Sequence, residues 1–202
     1  EMKIKESYLQ IKKAISGIIQ AMAQTLETRD PYTAGHQRRV ADIARAIARD
    51  MNLSEKEIEG IFMAGTIHDL EKICIPTEIL SKPGKLSPIE FELIKTHPQI
   101  GFDILKTIEF PWPLAEMVYQ HHEWINGSGY PLGLVGESIL LGSRIICVAD
   151  VVEAMASDRP YRPSRGIDFA LDEIKKQRGI HFDKDIVDIC LDLFLNKKYQ
   201  MT

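Results

Sequence analysis

Five of the six histidines stand where they could act as ligands: His36 follows Gly35 at a helix start, His68 adjoins Asp69, His97 precedes Pro98, and His121 and His122 are neighbours. Asp150 adds a carboxylate. Imidazole and carboxylate together hold borderline divalent metals such as iron, manganese, nickel or zinc. An adjacent His-Asp pair can serve two ions, because the carboxylate oxygens can bridge them while the ring takes one. A water between the ions then becomes a hydroxide nucleophile near neutral pH. That is phosphoester hydrolysis chemistry. Each histidine alone reads as a hydrogen-bonded core or surface group, so the metal reading rests on the set. His181, in GIHFDKD, reads as structural, in a loop before a helix that Asp183 would cap. Cys147, among Ile and Val, reads as core.

The stretch HHEWINGSGYP couples the ring pair to a run of small residues from Gly127 to Pro131. Small residues there let something approach the backbone closely, although Asn-Gly is also a turn signal in its own right. Glu123 is positioned in sequence to orient one of the rings.

These residues need helices to bring them together. At 202 residues, with 45% apolar and 27% charged composition, the chain can bury a sizeable core. Amphipathic or apolar spacing predicts helices in QRRVADIARAIARDMNLS, in EKEIEGIFMAGTIHDL after a Ser54/Glu57 capping box, and in SPIEFELIKT. Further helices are predicted from Pro98 to Thr107, in PWPLAEMVYQHH, in ILLGSRIICVADVVEAMASD, from Ser164 to Arg178, and in FDKDIVDICLDLFLNKK. Strand signals are nearly absent. Residues 1–28 read as an amphipathic lead-in helix, with its apolar face open to its own domain or to a coupling or dimerising partner. The expectation is an all-α bundle over residues 29–202 behind that helix.

Bulk chemistry narrows the partners. No apolar run reaches the ~20 residues of a membrane span, and no signal segment opens the chain. Three separated cysteines in apolar settings predict buried thiols in the reducing cytoplasm. A net charge of −4 gives no attraction for long nucleic acid, so a phosphate ligand must be held by local cations or metal.

The ordered set GH at Gly35 and His36, HDLEK at His68 to Lys72, ILSKPGKLSPIEFELIKTHPQIGFDIL, HHEWINGSGYP, ICVADVVEAMASDRPYR and GIHFD resembles the HD-GYP family over residues 29 to 195. The joint occurrence is highly specific. The resemblance implies an HD-domain-like helical bundle and hydrolysis of cyclic di-GMP to linear pGpG and onward to GMP, in bacterial second-messenger signalling. It implies two divalent ions, with iron expected first and manganese or nickel also accepted. His36, His68, Asp69 and Asp150 match the ligands of one ion, and Asp69, His97, His121 and His122 those of the other, with Asp69 bridging. Lys72 matches a lysine that meets a substrate phosphate, Asp69 and Lys72 being the catalytic pair. Gly129, Tyr130 and Pro131 would border the substrate, and Arg159 and Arg162 would meet its phosphates or bases. An upstream sensor or receiver domain and a homodimer through the lead-in helix are the implied partners.

Three positions depart from the family pattern. Tyr32 stands where some members carry a glutamate that holds a third metal, which favours two ions here. Asn126 replaces a frequent aspartate and keeps turn geometry. Glu71 replaces the usual glycine, and its carboxylate can point to solvent, capture a metal or repel the phosphate. That residue motivates an alternative, a catalytically impaired cyclic-dinucleotide sensor or docking module. A hydrolase for another nucleotide, including a mixed cyclic dinucleotide, is the third reading.

Overall fold

The computed structural model describes residues 35–157 and 164–201, together with positions 10, 14, 15, 17–19, 21, 22, 24 and 25 of the lead-in segment. Tyr32, Arg159 and Arg162 lie outside the described residues. Helix α1 (His36–Asp50) starts after Gly35, whose φ of 72° suits a residue without Cβ. Its buried face, Val40, Ile43, Ala44 and Ile47, repeats at helical spacing and is inaccessible to solvent. Helix α2 (Glu55–Ile67) opens with the expected capping box, Glu57 N–H donating to Ser54 Oγ at 3.3 Å and Ser54 N–H to Glu57 Oε2 at 2.9 Å.

A Cβ added to Gly65 would lie 3.0 Å from Ala41 Cα. That close approach of α1 and α2 sets the first residue of α1, His36, beside His68 at the end of α2. A 3-10 turn (Leu70–Cys74) follows, then α3 (Thr77–Leu80), α4 (Pro88–Ile94), α5 (His97–Leu105), α6 (Leu114–Gln120), α7 (Leu141–Ala156), α8 (Ile167–Lys176) and α9 (Lys184–Leu195). Periodicity did not anticipate the 3-10 turn, which carries Glu71 and Lys72 away from the line of α2.

The run ILLGSRIICVADVV is the buried helix α7, with Ile145, Ile146, Val148, Ala149 and Val152 inaccessible to solvent. Its β-branched residues fit a helix here because every face is covered, by α1, α2, α6, α8 and α9. Among the described residues there is no strand, only two isolated bridges, Asn126 with Val135 and Arg178 with Phe182. No described helix is long and apolar enough to cross a membrane.

The described positions of the lead-in segment are helical. Ile19 joins the core, while Ile15, Ile18 and Met22 stay exposed and line an apolar cavity of about 430 Å³ with Met63, Ile67 and Leu105. The cysteines are free thiols; Cys147 and Cys190 are buried, but Cys74 is exposed, contrary to the expectation from its apolar neighbours, at the end of the 3-10 turn.

Candidate metal centre

Four of the histidines find their orientation in neighbouring acceptors. His68 Nδ1 donates to Gly65 O at 2.8 Å, His97 Nδ1 to Ile94 O at 2.7 Å, and His121 Nδ1 to Val118 O at 2.5 Å. Each acceptor lies three residues back, in the last turn of α2, α4 or α6, where helix carbonyls lack intrahelical donors. His36 Nδ1 instead pairs with Glu153 Oε2 of α7, whose other oxygen takes Arg39 Nε at 2.7 Å and Ser157 Oγ at 2.7 Å. With Nδ1 engaged, each ring presents Nε2 to a common centre.

Asp69 stands in that centre. Its Oδ2 is 3.7 Å from His36 Nε2 and 3.6 Å from His68 Nε2, and Asp150 Oδ1 lies 3.3 and 3.8 Å from the same two atoms. Its Oδ1 is 3.4 Å from His97 Nε2 and 3.8 Å from His121 Nε2. The His122 ring lies 4.0 Å from that of His121. Two sets of converging donor atoms result: His36, His68 and Asp69, with Asp150 alongside, and Asp69, His97, His121 and His122. Lys72 Nζ lies 2.6 Å from Asp69 Oδ2.

The protonation states match what a cation would need. Burial, with neighbouring cations and rings, holds His97 and His122 well below the usual imidazole range and His121 at about 4, so all three rings are neutral, the form that can bind a metal. Burial opposes ionisation of Asp69 and Asp150, but Lys72 and the surrounding histidines hold Asp69, and His36 and His68 hold Asp150, well below the ordinary range. For His36 burial is outweighed by Asp150, Asp69 and Glu153, which raise it to about 10, so a proton stands where positive charge is demanded. His68 Nε2 and Asp69 Oδ1 are buried with no hydrogen-bond partner among the described residues. Unmet donor atoms in an apolar shell are costly. The donor set therefore fits divalent cations.

Glu123 does not orient a ring. Its carboxylate accepts the backbone N–H groups of Leu132, Gly133 and Leu134 at 2.6, 3.1 and 2.9 Å, and so ties down the loop after Pro131. A Cβ on Gly129 would fall 2.3 Å from Trp124 N and 2.6 Å from His122 O. The backbone that this glycine admits is the chain's own. Tyr130 tilts over His122 with ring centroids 4.7 Å apart, and Pro131 follows it at the mouth of the loop. Asn126 makes the expected turn, its Oδ1 accepting from Ser128 N at 3.1 Å. His181 stacks on Trp124 at 4.0 Å and takes no part in the cluster.

Glu71 is buried and belongs to neither donor set, its carboxyl lying against Gly101 of α5. Burial first, and Asp69 second, raise its pKa well above the ordinary 4.5. Sequence reasoning missed Glu153 and Arg39; the available signal was spacing, each lying three residues from a ligand candidate on its own helix.

A helical bundle with histidines and aspartates converging from five of its helices or their ends is the architecture of the HD domain proteins. The HD domain family matches residues 20–186, and the chain belongs to it. It is 39% identical over 193 residues to the cyclic di-GMP phosphodiesterase response regulator of Xanthomonas campestris, covering 95% of this chain and 51% of that protein. It is 36% identical over 195 residues to a cyclic di-GMP phosphodiesterase of Thermotoga maritima, covering 96% of this chain and 53% of that protein. A 3'3'-cGAMP-specific phosphodiesterase of Vibrio cholerae is 38% identical over 154 residues, covering 76% of this chain and 34% of that protein. The chain thus spans about half the length of the first two relatives. Among solved structures, an HD-GYP-type protein of Bdellovibrio bacteriovorus superposes with a TM-score of 0.70 at 18% identity, over 93% of this chain and 63% of that one, a likeness of fold.

Proposed function

We propose that this chain is a metal-dependent phosphodiesterase that opens cyclic di-GMP to linear pGpG and carries it on to GMP. The observation that carries the reading is Asp69, whose two oxygens face separate histidine sets at 3.4 to 3.8 Å. The relatives named as phosphodiesterases of cyclic dinucleotides support it. His36, His68, Asp69 and Asp150 would hold one divalent ion and Asp69, His97, His121 and His122 a second, iron first by expectation, with manganese or nickel accepted by the same ligands. Such ions polarise a phosphoryl oxygen and acidify water.

Hydrolysis to a 5′-phosphorylated product adds water across a P–O3′ bond, so a proton must reach the departing O3′. Lys72 would turn from Asp69 to a nonbridging phosphate oxygen, a charge-assisted contact. Tyr130, with Gly129 and Pro131, would border the nucleotide, and Arg159 and Arg162 would complete the cationic side. The sensor alternative is weakened by Glu71 itself, which packs against Gly101 rather than entering either donor set. The reducing cytoplasm suits the free thiols, and an upstream sensor or receiver domain with pairing through the lead-in helix suits the exposed Ile15, Ile18 and Met22.

The test is anaerobic reconstitution with iron(II) and, separately, manganese(II), with pGpG and GMP followed by chromatography. Multiple turnovers per site that vanish in Asp69→Ala support the reading. A parent protein without product in either metal, or an Asp69→Ala protein as fast as the parent, overturns it.

A further inference from the structure

A column of rings runs outward from the metal centre. Tyr130 leans on His122 at 4.7 Å and stands 6.5 Å from His97, and Phe91 meets Tyr130 at 6.5 Å with the two rings near perpendicular. Phe91 lies on α4 and is 46% exposed. Lys95, which ends that helix, holds its ammonium 5.4 Å from the Phe91 ring and 6.0 Å from the Tyr130 ring. Its salt-bridge partner, Glu92 at 2.5 Å, is 69% exposed, so the pair is a weak surface contact that a better acceptor can displace. Burial does not explain an exposed phenyl ring and a cation set side by side at the edge of a phosphodiester site.

Given the phosphodiesterase reading above, we infer that Phe91 and Lys95 read a purine base of the substrate, Phe91 by stacking and Lys95 by donating to the base edge. Stacking on an aromatic face is tolerant of base identity. The ammonium is not tolerant, because it only donates. Guanine presents two acceptors on one edge, O6 and N7, whereas adenine sets its N6 amino donor beside N7. The site therefore selects guanine at the base held by α4. Tyr130 joins the two functions, its ring in contact with His122 and with Phe91. Neither Phe91 nor Lys95 touches the reacting atoms, so their role is specificity.

The experiment compares cyclic di-GMP, 3'3'-cGAMP and cyclic di-AMP with the manganese-loaded parent and with Lys95→Met, Lys95→Arg, Phe91→Leu and Phe91→Tyr. Turnover is recorded beside equilibrium binding of the slowly cleaved phosphorothioate analogues. Lys95→Met, which keeps the apolar stem, is expected to cut the preference for cyclic di-GMP over cyclic di-AMP about tenfold, through KM and binding with kcat retained. Lys95→Arg keeps the preference. Phe91→Leu weakens binding of all three ligands about tenfold, and Phe91→Tyr restores it. If the parent cleaves cyclic di-GMP while Lys95→Met leaves the base preference and Phe91→Leu leaves binding unchanged, the base-reading inference alone falls. A parent that neither binds nor cleaves any of the three removes the phosphodiesterase reading and this inference together.

Discussion

The carboxyl group of Glu71 and the Cα of Gly101 share one space: a Cβ placed on Gly101 would meet Glu71 Cδ at 2.6 Å and its two oxygens at 2.7 and 2.9 Å. The glycine on α5 thus makes room for an acid on the 3-10 turn. Gly101→Ala is expected to cost about 1–3 kcal/mol by overpacking. In a Glu71→Gly background the same substitution should cost little, because its clash is gone. Urea denaturation of the four proteins in this cycle measures the coupling, and equal costs in both backgrounds would separate the two residues.

Glu90 offers a prediction in acid. It closes the capping box of α4 with Ser87 and takes Lys82 Nζ at 2.6 and 2.7 Å; Lys82 first, then the Ser87 contacts, lower its pKa from 4.5 to about 2. A depressed folded pKa means stability that is present above 4.5 and lost as pH falls through about 2. Glu90→Gln should flatten this part of the acid denaturation curve. A curve as steep as that of the parent would assign the slope to other carboxylates.

The chain's own residues announced the cluster of histidines and aspartates and little of what supports it. His36, His68, Asp69, His97, His121, His122 and Asp150 could be picked out because polar rings and acids interrupt apolar helical patterns, and α1, α2 and α7 followed from 3.6-residue spacing. Glu153 left only its three-residue spacing from Asp150, since its partner His36 is 117 positions away and the packing of α1 on α7 joins them. Glu123 looked like a ring partner because it adjoins His122 in sequence, yet its side chain serves the backbone nine to eleven residues on. Cys74 is exposed at the end of a 3-10 turn that carries no periodic signal.

Glu123 should therefore act on the loop and leave the metal centre intact. Glu123→Gln converts one acceptor oxygen to a donor and removes at least one backbone hydrogen bond of a partly exposed loop, at a cost of about 0.5–1.5 kcal/mol. Hydrogen exchange at Leu132, Gly133 and Leu134 should accelerate while metal affinity holds. Unchanged exchange with weakened metal binding would restore a ring-orienting role.

Glu153 should behave in the opposite way. It is inaccessible to solvent and holds His36 by Nδ1 with Arg39 behind it. Glu153→Gln is expected to weaken metal binding about 10- to 100-fold, read by competition with a chelator. Arg39→Met, which leaves the carboxylate in place, should fall between that variant and the parent. Parent-like affinity in Glu153→Gln would show that His36 needs no such partner.

The acceptors for His68, His97 and His121 are last-turn carbonyls of α2, α4 and α6. Each such helix end carries roughly half a negative charge from its aligned peptide dipoles. These three ends aim their negative poles at rings that face Asp69 and Asp150, so each imidazole donates its Nδ1 proton along a favourable dipole and leaves Nε2 as its basic nitrogen. The bundle thereby uses its helix ends to settle which nitrogen of each ring faces Asp69 and which stays tied to the backbone.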